Sequence, residues 1–163
     1  MKTILFVCYG NICRSPIAEG LLKKMLKEKF GDSTRIQVLS AGLNALGWPA
    51  SKEAVEIMKH DGIDISDFKS KRLSEELIEK ADLILTMEKS HKDAILSVFP
   101  RHAHKIFTLK EFAGETEDID ISDPYSSGFQ AYEKSAKEIK LALTKAFDKI
   151  VDYMLKEDEE ETK

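Results

Sequence analysis

The chain has 163 residues, of which 42% are hydrophobic and 33% charged, with a formal net charge of −4. This composition is typical of a globular protein, and the length suits one domain with a full core. The negative charge argues against general nucleic-acid binding, which needs a basic surface. No apolar stretch reaches the length of a membrane span or of a secretory signal. Two cysteines in one loop form no disulfide framework, so we expect a cytoplasmic protein without nucleic-acid or membrane partners.

The first part of the chain alternates between predicted strands and predicted helices. Short, fully apolar runs are typical of buried parallel strands, and apolar residues spaced by three or four are typical of helices. Serine is a favourable helix N-cap and glycine a common helix stop. The pattern predicts a strand over 2–7, a helix from Ser15 to a stop at Gly31, a strand over 35–40, a loop over 43–50 and a helix over 51–60 with Ser51 as N-cap.

The alternation continues to the C-terminus. The last helix has the clearest pattern, because its apolar residues step by three or four throughout. The remaining predicted elements are a short helix over 74–80, a strand over 81–87, a helix over Lys89–Val98, a strand over 105–109, an acidic loop over 115–123 and a long helix over 129–155.

Alternating strands and helices predict an α/β fold. We expect one domain over residues 1–155, built on a four-stranded parallel sheet with helices on both faces, and a flexible charged tail over 156–163. Ligands of such sheets bind beyond the carboxyl ends of the strands, and Cys8 lies at one of those ends.

The loop from Cys8 to Ser15 joins the first strand to the first helix, where free N–H groups and the helix dipole attract anions. Arg14 adds a guanidinium group that matches two oxygens of a phosphate. A positive field of this kind favours the thiolate form of a cysteine. Gly10 and Asn11 tolerate the backbone conformations that wrap a loop around a tetrahedral anion. Taken alone, Cys8 could be an inert packing residue and Arg14 a solvated charge. Together, at this spacing between a strand and a helix, the two residues indicate nucleophilic attack at phosphorus.

Three segments resemble low-molecular-weight protein tyrosine phosphatases: CYGNICRSPIAE at 8–19, which is similar to their phosphate loop, SAG at 40–42 and DPY at 123–125. The resemblance covers about residues 2–155. It implies a four-stranded parallel fold with the phosphate loop between the first strand and the first helix. It also implies cofactor-free hydrolysis of phosphotyrosine through a phosphocysteine. By resemblance, Cys8 is the nucleophile, Arg14 binds the phosphoryl oxygens, Ser15 hydrogen-bonds the sulfur, and Asn11 and Ser40 support the loop.

Expulsion of a phenolate needs an acid, because protonation of the leaving oxygen accelerates the reaction by roughly 10²–10⁴-fold. The family places its acid at the Asp-Pro dipeptide, so we predict that Asp123 is the acid in the first step and the base in the second. A simple turn at Asp-Pro is the alternative interpretation. The other candidates are the remaining carboxylates of the acidic loop, Glu115, Glu117, Asp118 and Asp120.

Apolar residues near the loop bear on the choice of substrate. Ile12 would form an apolar wall suited to a phenyl ring, and Tyr125 could stack on that ring. Relatives that resemble this family but act on phosphoarginine carry threonine in place of Ile12 and phenylalanine in place of Tyr125. Both residues therefore favour phosphotyrosine, with phosphoarginine as the alternative. The predicted substrate-binding residues are Tyr9, Gly10, Asn11, Ile12, Cys13, Tyr125, Leu46 and Trp48, although Trp48 could instead cap the sheet edge.

Two other activities, arsenate reduction and phosphate carriage, would need different residues. An arsenate reductase of this type needs further cysteines beyond Cys13 to relay a disulfide, and the sequence has none. A phosphate carrier needs no leaving-group acid such as Asp123. We expect no metal, because two cysteines supply half of a tetrahedral site and His60, His91, His102 and His104 lack ligand spacing. The expected partners are phosphotyrosine proteins or small aryl phosphates, with inorganic phosphate as product.

Cys13 has two interpretations: a small apolar residue, or, as in the family, the partner of Cys8 in a reversible disulfide. Two positions depart from the family pattern. Phe68 stands where many members have a histidine that supports the loop asparagine, and Ser126 replaces the second of two adjacent tyrosines. We therefore expect a different support for Asn11 and no control by paired tyrosine phosphorylation.

Overall fold

A computed structural model describes residues 1–161, with side chains as far as Lys156. Its centre is a four-stranded sheet of order β2-β1-β3-β4, in which all neighbouring strands are parallel. The predicted α/β fold with a four-stranded parallel sheet is therefore confirmed. The strands are β1 (Lys2–Cys8), β2 (Ile36–Gly42), β3 (Leu83–Thr86) and β4 (Ile106–Thr108).

Helices cover both faces of the sheet, as predicted. Alternate residues of β1 point to opposite faces, so Ile4 and Phe6 enter one apolar cluster and Leu5 and Val7 enter another. No helix in the described part of the chain is long and apolar enough to cross a membrane. The helices are α1 (Arg14–Phe30), α2 (Lys52–His60), α3 (Glu75–Lys80), α4 (Lys89–Val98), α5 (Leu109–Phe112) and α6 (Phe129–Glu161), with 3-10 turns at Gly31–Ser33 and Pro100–Lys105.

Several predicted boundaries were wrong. Helix α1 begins at Arg14, and its N-cap is Cys13, because the Ser15 hydroxyl bonds to the loop instead of capping the helix. Strand β4 is shorter than predicted, since Thr108 and Glu111 form a capping box that starts α5 inside the predicted strand. Helix α6 continues beyond residue 155 to Glu161, so most of the predicted tail is helical, and residues 162–163 lie outside the described part.

The strand order places the loop from Cys8 to Ser15 at the point where the direction of the chain connections reverses. From β1 the chain moves to β2 on one side and then returns to β3 on the other side. The carboxyl end of β1 is therefore flanked by connections that leave in opposite directions, which opens a crevice there. Cys8 is the last residue of β1 and lies at this crevice.

Candidate active site

Cys8 lines a cleft at the carboxyl end of β1 and is almost fully buried. Its Sγ is 2.9 Å from Ser15 Oγ, and it accepts a hydrogen bond from the backbone N–H of Asn11 at 3.2 Å. Both groups can donate to a negatively charged sulfur. The Ser15 hydroxyl and the Asn11 N–H are thus placed where they can stabilise negative charge on this sulfur.

The backbone of the loop is held with its carbonyl groups turned outward. The carbonyls of Cys8, Tyr9 and Ile12 accept hydrogen bonds of 3.1, 2.9 and 2.8 Å from N–H groups in the 43–51 segment. The described chain contains no cis peptide bond, and in a trans peptide the C=O and the following N–H point in opposite directions. The N–H groups that follow these carbonyls therefore point into the loop, where they can bind an anion.

Asn11 ties the loop to its surroundings. Its side chain is fully buried, and its Nδ2 donates to Ser15 Oγ at 2.7 Å and to Ser40 Oγ at 3.0 Å. Its Oδ1 accepts the backbone N–H of Lys71 at 2.9 Å. Phe68, the residue at the position of the family's histidine, packs against the apolar core. A backbone group of the following segment thus supports the asparagine in this protein.

Gly42 is a site residue that the sequence reasoning did not assign a role, although it belongs to the quoted SAG motif. A Cβ at this position would lie 2.7 Å from the carbonyl oxygen of Tyr9 and 2.9 Å from the backbone nitrogen of Asn11. Glu19 was also missed, and its carboxylate accepts a hydrogen bond of 2.9 Å from Ser40 Oγ. Strand β2 can therefore approach the loop closely only because residue 42 has no side chain.

The guanidinium group of Arg14 is buried and held by two partners. Its Nη1 donates to the carbonyl oxygen of Ile121 at 2.7 Å, and its Nη2 donates to Glu88 Oε2 at 2.7 Å. Asp123 Oδ2 lies 3.8 Å from Nη2. Sequence reasoning missed Glu88, whose signal was its position just after the carboxyl end of β3. These contacts use part of the guanidinium, which has five N–H donors, and the group also lines the cleft.

His91 extends the same network beneath the cleft. Its Nε2 lies 3.2 Å from Glu88 Oε2, while its Nδ1 is buried without a hydrogen-bond partner among the described residues. Burial lowers the pKa of His91 below its usual value, and the positive charge of Arg14 acts in the same direction. The carboxylates of Glu88, Asp120 and Asp123 oppose this shift but do not reverse it. We therefore describe His91 as a neutral imidazole at neutral pH.

Asp123 is the single carboxylate among the described residues that line the cleft. Its side chain is 56% exposed, and its Oδ1 accepts the backbone N–H of Tyr125 at 3.1 Å. The other candidates have different surroundings: Glu115 pairs with Lys145, and Asp120 accepts a backbone N–H at the start of α4. Of these candidate carboxylates, Asp123 is therefore the one that lies at the cleft.

The cleft has a volume of about 280 Å³ and apolar walls. Four of its side chains, Tyr9, Leu46, Trp48 and Tyr125, are between 51% and 60% exposed and stand around the opening. The structure therefore places Leu46 and Trp48 beside the phosphate loop. The residues that line the cleft are Cys8, Tyr9, Gly10, Ile12, Cys13, Arg14, Asn44, Leu46, Trp48, Asp123 and Tyr125.

Cys13 is a buried, free thiol that also lines the cleft. Its Sγ lies 3.1 Å from the hydroxyl group of Tyr132 on α6. Burial raises the pKa of the Cys13 thiol and, together with this hydrogen bond, the pKa of Tyr132. At neutral pH both groups are therefore protonated, which distinguishes Cys13 from a reactive thiolate.

Comparison with known proteins identifies the family of this chain. The model of the family described as low molecular weight phosphotyrosine protein phosphatase matches residues 3–159. The probable low molecular weight protein-tyrosine-phosphatase EpsP of Ralstonia nicotianae is 44% identical over 140 residues, which cover 85% of this chain and 89% of that protein. The protein-arginine-phosphatase of Bacillus subtilis is 38% identical over 137 residues, covering 83% and 88%.

Solved structures agree with this result. The low molecular weight protein tyrosine phosphatase from T. tengcongensis superimposes with a TM-score of 0.83 at 44% identity, over 91% of this chain and 99% of that chain. The YwlE arginine phosphatase from Geobacillus stearothermophilus gives a TM-score of 0.84 at 34% identity, over 96% and 97%. The backbone therefore does not distinguish the two substrates named for these relatives.

Proposed function

Because the chain belongs to the low molecular weight phosphotyrosine protein phosphatase family, we propose that it hydrolyses phosphotyrosine in proteins through a phosphocysteine on Cys8. The observation that carries this proposal is the meeting of the Cys8 sulfur, the Arg14 guanidinium and the Asp123 carboxylate at one cleft. Small aryl phosphates fit the same cleft, and inorganic phosphate is the product. No metal ion or organic cofactor takes part in the scheme.

In the first step the Cys8 thiolate attacks phosphorus, so an S–P bond forms while the bond from phosphorus to the tyrosine oxygen breaks. Asp123 gives its proton to that oxygen, and tyrosine leaves neutral. The remaining N–H groups of Arg14 and the inward N–H groups of the loop bind the phosphoryl oxygens. These donors are fixed before the reaction, so they stabilise the charge of the transition state without reorganisation.

In the second step Asp123, now a carboxylate, takes a proton from water, and the water oxygen attacks phosphorus. The S–P bond breaks, phosphate forms, and Cys8 returns to a thiolate. Ser15 donates its hydroxyl hydrogen bond to the sulfur as it regains negative charge, since the two atoms are 2.9 Å apart. The same contact therefore serves as nucleophile support in the first step and leaving-group support in the second.

The cleft walls support phosphotyrosine over phosphoarginine. Ile12, Trp48 and Tyr125 present apolar or aromatic surface beside the loop, which suits a phenyl ring. A phosphoguanidine carries several N–H groups, and the side chains of Ile12 and Trp48 offer no acceptor for them. Phosphoarginine stays the second candidate, because a relative that is 38% identical is named a protein-arginine-phosphatase.

We also propose that the enzyme works in a reducing compartment such as the cytoplasm and is inactivated reversibly by peroxide. Peroxide would oxidise the Cys8 thiolate to a sulfenic acid; the Cys13 sulfur would then form the S–S bond and release water. Support comes from the free state of both cysteines and their place in one cleft. In Cys13→Ser the sulfenic acid has no neighbouring thiol to form a disulfide, so a second equivalent of peroxide should oxidise it to the sulfinic acid, which thiols do not reduce. Recovery of activity equal to that of the wild type would contradict the role of Cys13.

Hydrolysis of matched phosphotyrosine and phosphoarginine peptides in the presence of EDTA tests the main proposal. We expect turnover of phosphotyrosine by the wild type, no turnover by Cys8→Ala, and a loss of roughly 10²–10⁴-fold in Asp123→Ala. Ile12→Thr should lower the preference for phosphotyrosine over phosphoarginine. Leu46→Ala, which also changes an apolar residue of the cleft wall, is the control. Activity in Cys8→Ala would refute the mechanism, and a preference of the wild type for phosphoarginine would refute the substrate.

A further inference from the structure

Residues 120–123, which we name the acid segment, include Asp123 and are hydrogen-bonded to the rest of the protein at residues 120, 121 and 122. The carboxylate of Asp120 accepts the backbone N–H of Lys89 at 2.7 Å. The backbone N–H of Ile121 donates to the carbonyl of Met87 at 2.8 Å, and its carbonyl accepts from Arg14. Such contacts hold a loop in one conformation, although the acidic composition alone suggests a solvated one.

The strongest attachment of the acid segment involves Ser122, the neighbour of Asp123. Its backbone N–H and its hydroxyl group both donate to Glu138 Oε2, at 2.8 and 2.7 Å. Its carbonyl oxygen accepts the hydroxyl group of Ser135 at 2.7 Å. Ser135 is fully buried and lies three residues before Glu138, so both face the acid segment from one side of α6. Every polar group of Ser122 is thereby bonded to the helix.

We propose that Glu138, assisted by Ser135, is a positioning residue that holds the Asp123 carboxyl group at the leaving-group oxygen; this inference rests on the proposed function. Glu138 does not line the cleft and touches no reacting atom. Its effect passes through Ser122, whose backbone connects directly to that of Asp123. The Asp123 side chain is mostly exposed, so its placement depends on this backbone rather than on packing.

Loss of the Glu138 carboxylate removes two hydrogen bonds of Ser122 and leaves Ser135 as its remaining partner on α6. A displacement of about 1 Å at a catalytic group can cost 10²-fold in rate. The loss of rate in Glu138→Ala should depend on the leaving group. An acidic phenol such as nitrophenol can leave as its anion, whereas unsubstituted phenol needs a proton from the acid. Phosphate affinity should hardly change, because Ile121, whose carbonyl binds Arg14, keeps its own hydrogen bond to Met87.

The test compares kcat/KM for phenyl phosphate and for a nitrophenyl phosphate, since kcat/KM reports the step in which the phenol leaves. Glu138→Ala should lose about 10- to 100-fold with phenyl phosphate and less than about threefold with the nitrophenyl ester. Glu138→Gln keeps an acceptor oxygen for Ser122 and should recover most of the activity. Glu133→Ala, an exposed glutamate of the same helix, is the matched control and should match the wild type.

A double-mutant cycle with Asp123→Ala completes the test. If Glu138 acts through the acid, Glu138→Ala should cost almost nothing further in an Asp123→Ala background. Additive losses, equal losses with both esters, or failure of Glu138→Gln to recover activity would overturn the inference. If Asp123→Ala itself left phenyl phosphate hydrolysis intact, the proposed function would fail instead, so the two failures are distinguishable. The inhibition constant of inorganic phosphate, unchanged in Glu138→Ala, excludes a general loss of folding.

Discussion

Replacement of Asn11 by alanine should destabilise the protein more than any surface change near the cleft. The substitution removes side-chain hydrogen bonds to Ser15, Ser40 and Lys71 of 2.7, 3.0 and 2.9 Å. Each buried bond contributes about 1 kcal/mol net. Asn11 also has φ of 57°, a left-handed conformation that costs alanine about 1–2 kcal/mol. The expected loss in the free energy of unfolding is therefore about 4–5 kcal/mol, a large share of the usual 5–15 kcal/mol.

Asn11→Gly separates the two contributions, because glycine adopts positive φ without strain. Its greater freedom in the unfolded chain offsets part of this advantage, so we expect Asn11→Gly to exceed Asn11→Ala in stability by about 1 kcal/mol. Both variants should also lose kcat/KM for an aryl phosphate, since the loop that binds the phosphoryl group loses its support.

Urea unfolding followed by circular dichroism measures these differences. Asn44→Ala is the matched control, because Asn44 is exposed and its side-chain amide makes only a long hydrogen bond of 3.4 Å to the Tyr9 hydroxyl. Its cost should stay within about 0.5 kcal/mol. A loss below about 1 kcal/mol in Asn11→Ala, or a less stable Asn11→Gly, would refute the assigned role of the asparagine.

Three other variants test separate parts of the account. Gly42→Ala should lower the free energy of unfolding in urea by about 1–3 kcal/mol and abolish phosphate binding. Gly10→Ala is the control and should fold normally, because its Cβ would meet only Ile12 Cγ1, at 3.7 Å. Because the pKa of His91 is lowered in the fold, the unfolded chain binds its proton first as the pH falls. The contribution of His91 to stability is thus complete above about pH 6.5 and is lost below it. His91→Gln should therefore reduce the fall in the urea midpoint between pH 7 and pH 5. An unchanged fall in the midpoint would contradict this. Trp48→Ala should raise KM for an aryl phosphate several-fold without changing inhibition by inorganic phosphate; equal changes in both would contradict a wall role.

Most of the fold and the centre of the site were predictable because their signals are local. The loop from Cys8 to Ser15 is one short segment between a strand and a helix, and Asp123 is marked by the proline after it. The fold followed from the alternation of apolar runs with helical periodicity. The end of β4 is also marked in the sequence, since Thr108 and Glu111 have the spacing of a capping box.

The contacts that hold the site were not predictable from the sequence. Glu88 meets Arg14 across 74 positions of the chain, and Lys71 meets Asn11 across 60. An isolated glutamate on a helix, such as Glu138, resembles any solvated charge until its partner is known. Only the packing of α6 beside the acid segment reveals that it binds Ser122.

Trapping of the phosphoenzyme tests the central claim most directly. Wild-type protein is mixed with a phosphotyrosine peptide, quenched in acid within milliseconds, digested and analysed by mass spectrometry under conditions that preserve phosphocysteine. The account predicts one phosphoryl group on the peptide that contains Cys8, its absence in Cys8→Ala, and its accumulation in Asp123→Ala when a nitrophenyl ester is the substrate. Turnover with no phosphoryl group on Cys8, or with the group on another residue, would contradict it.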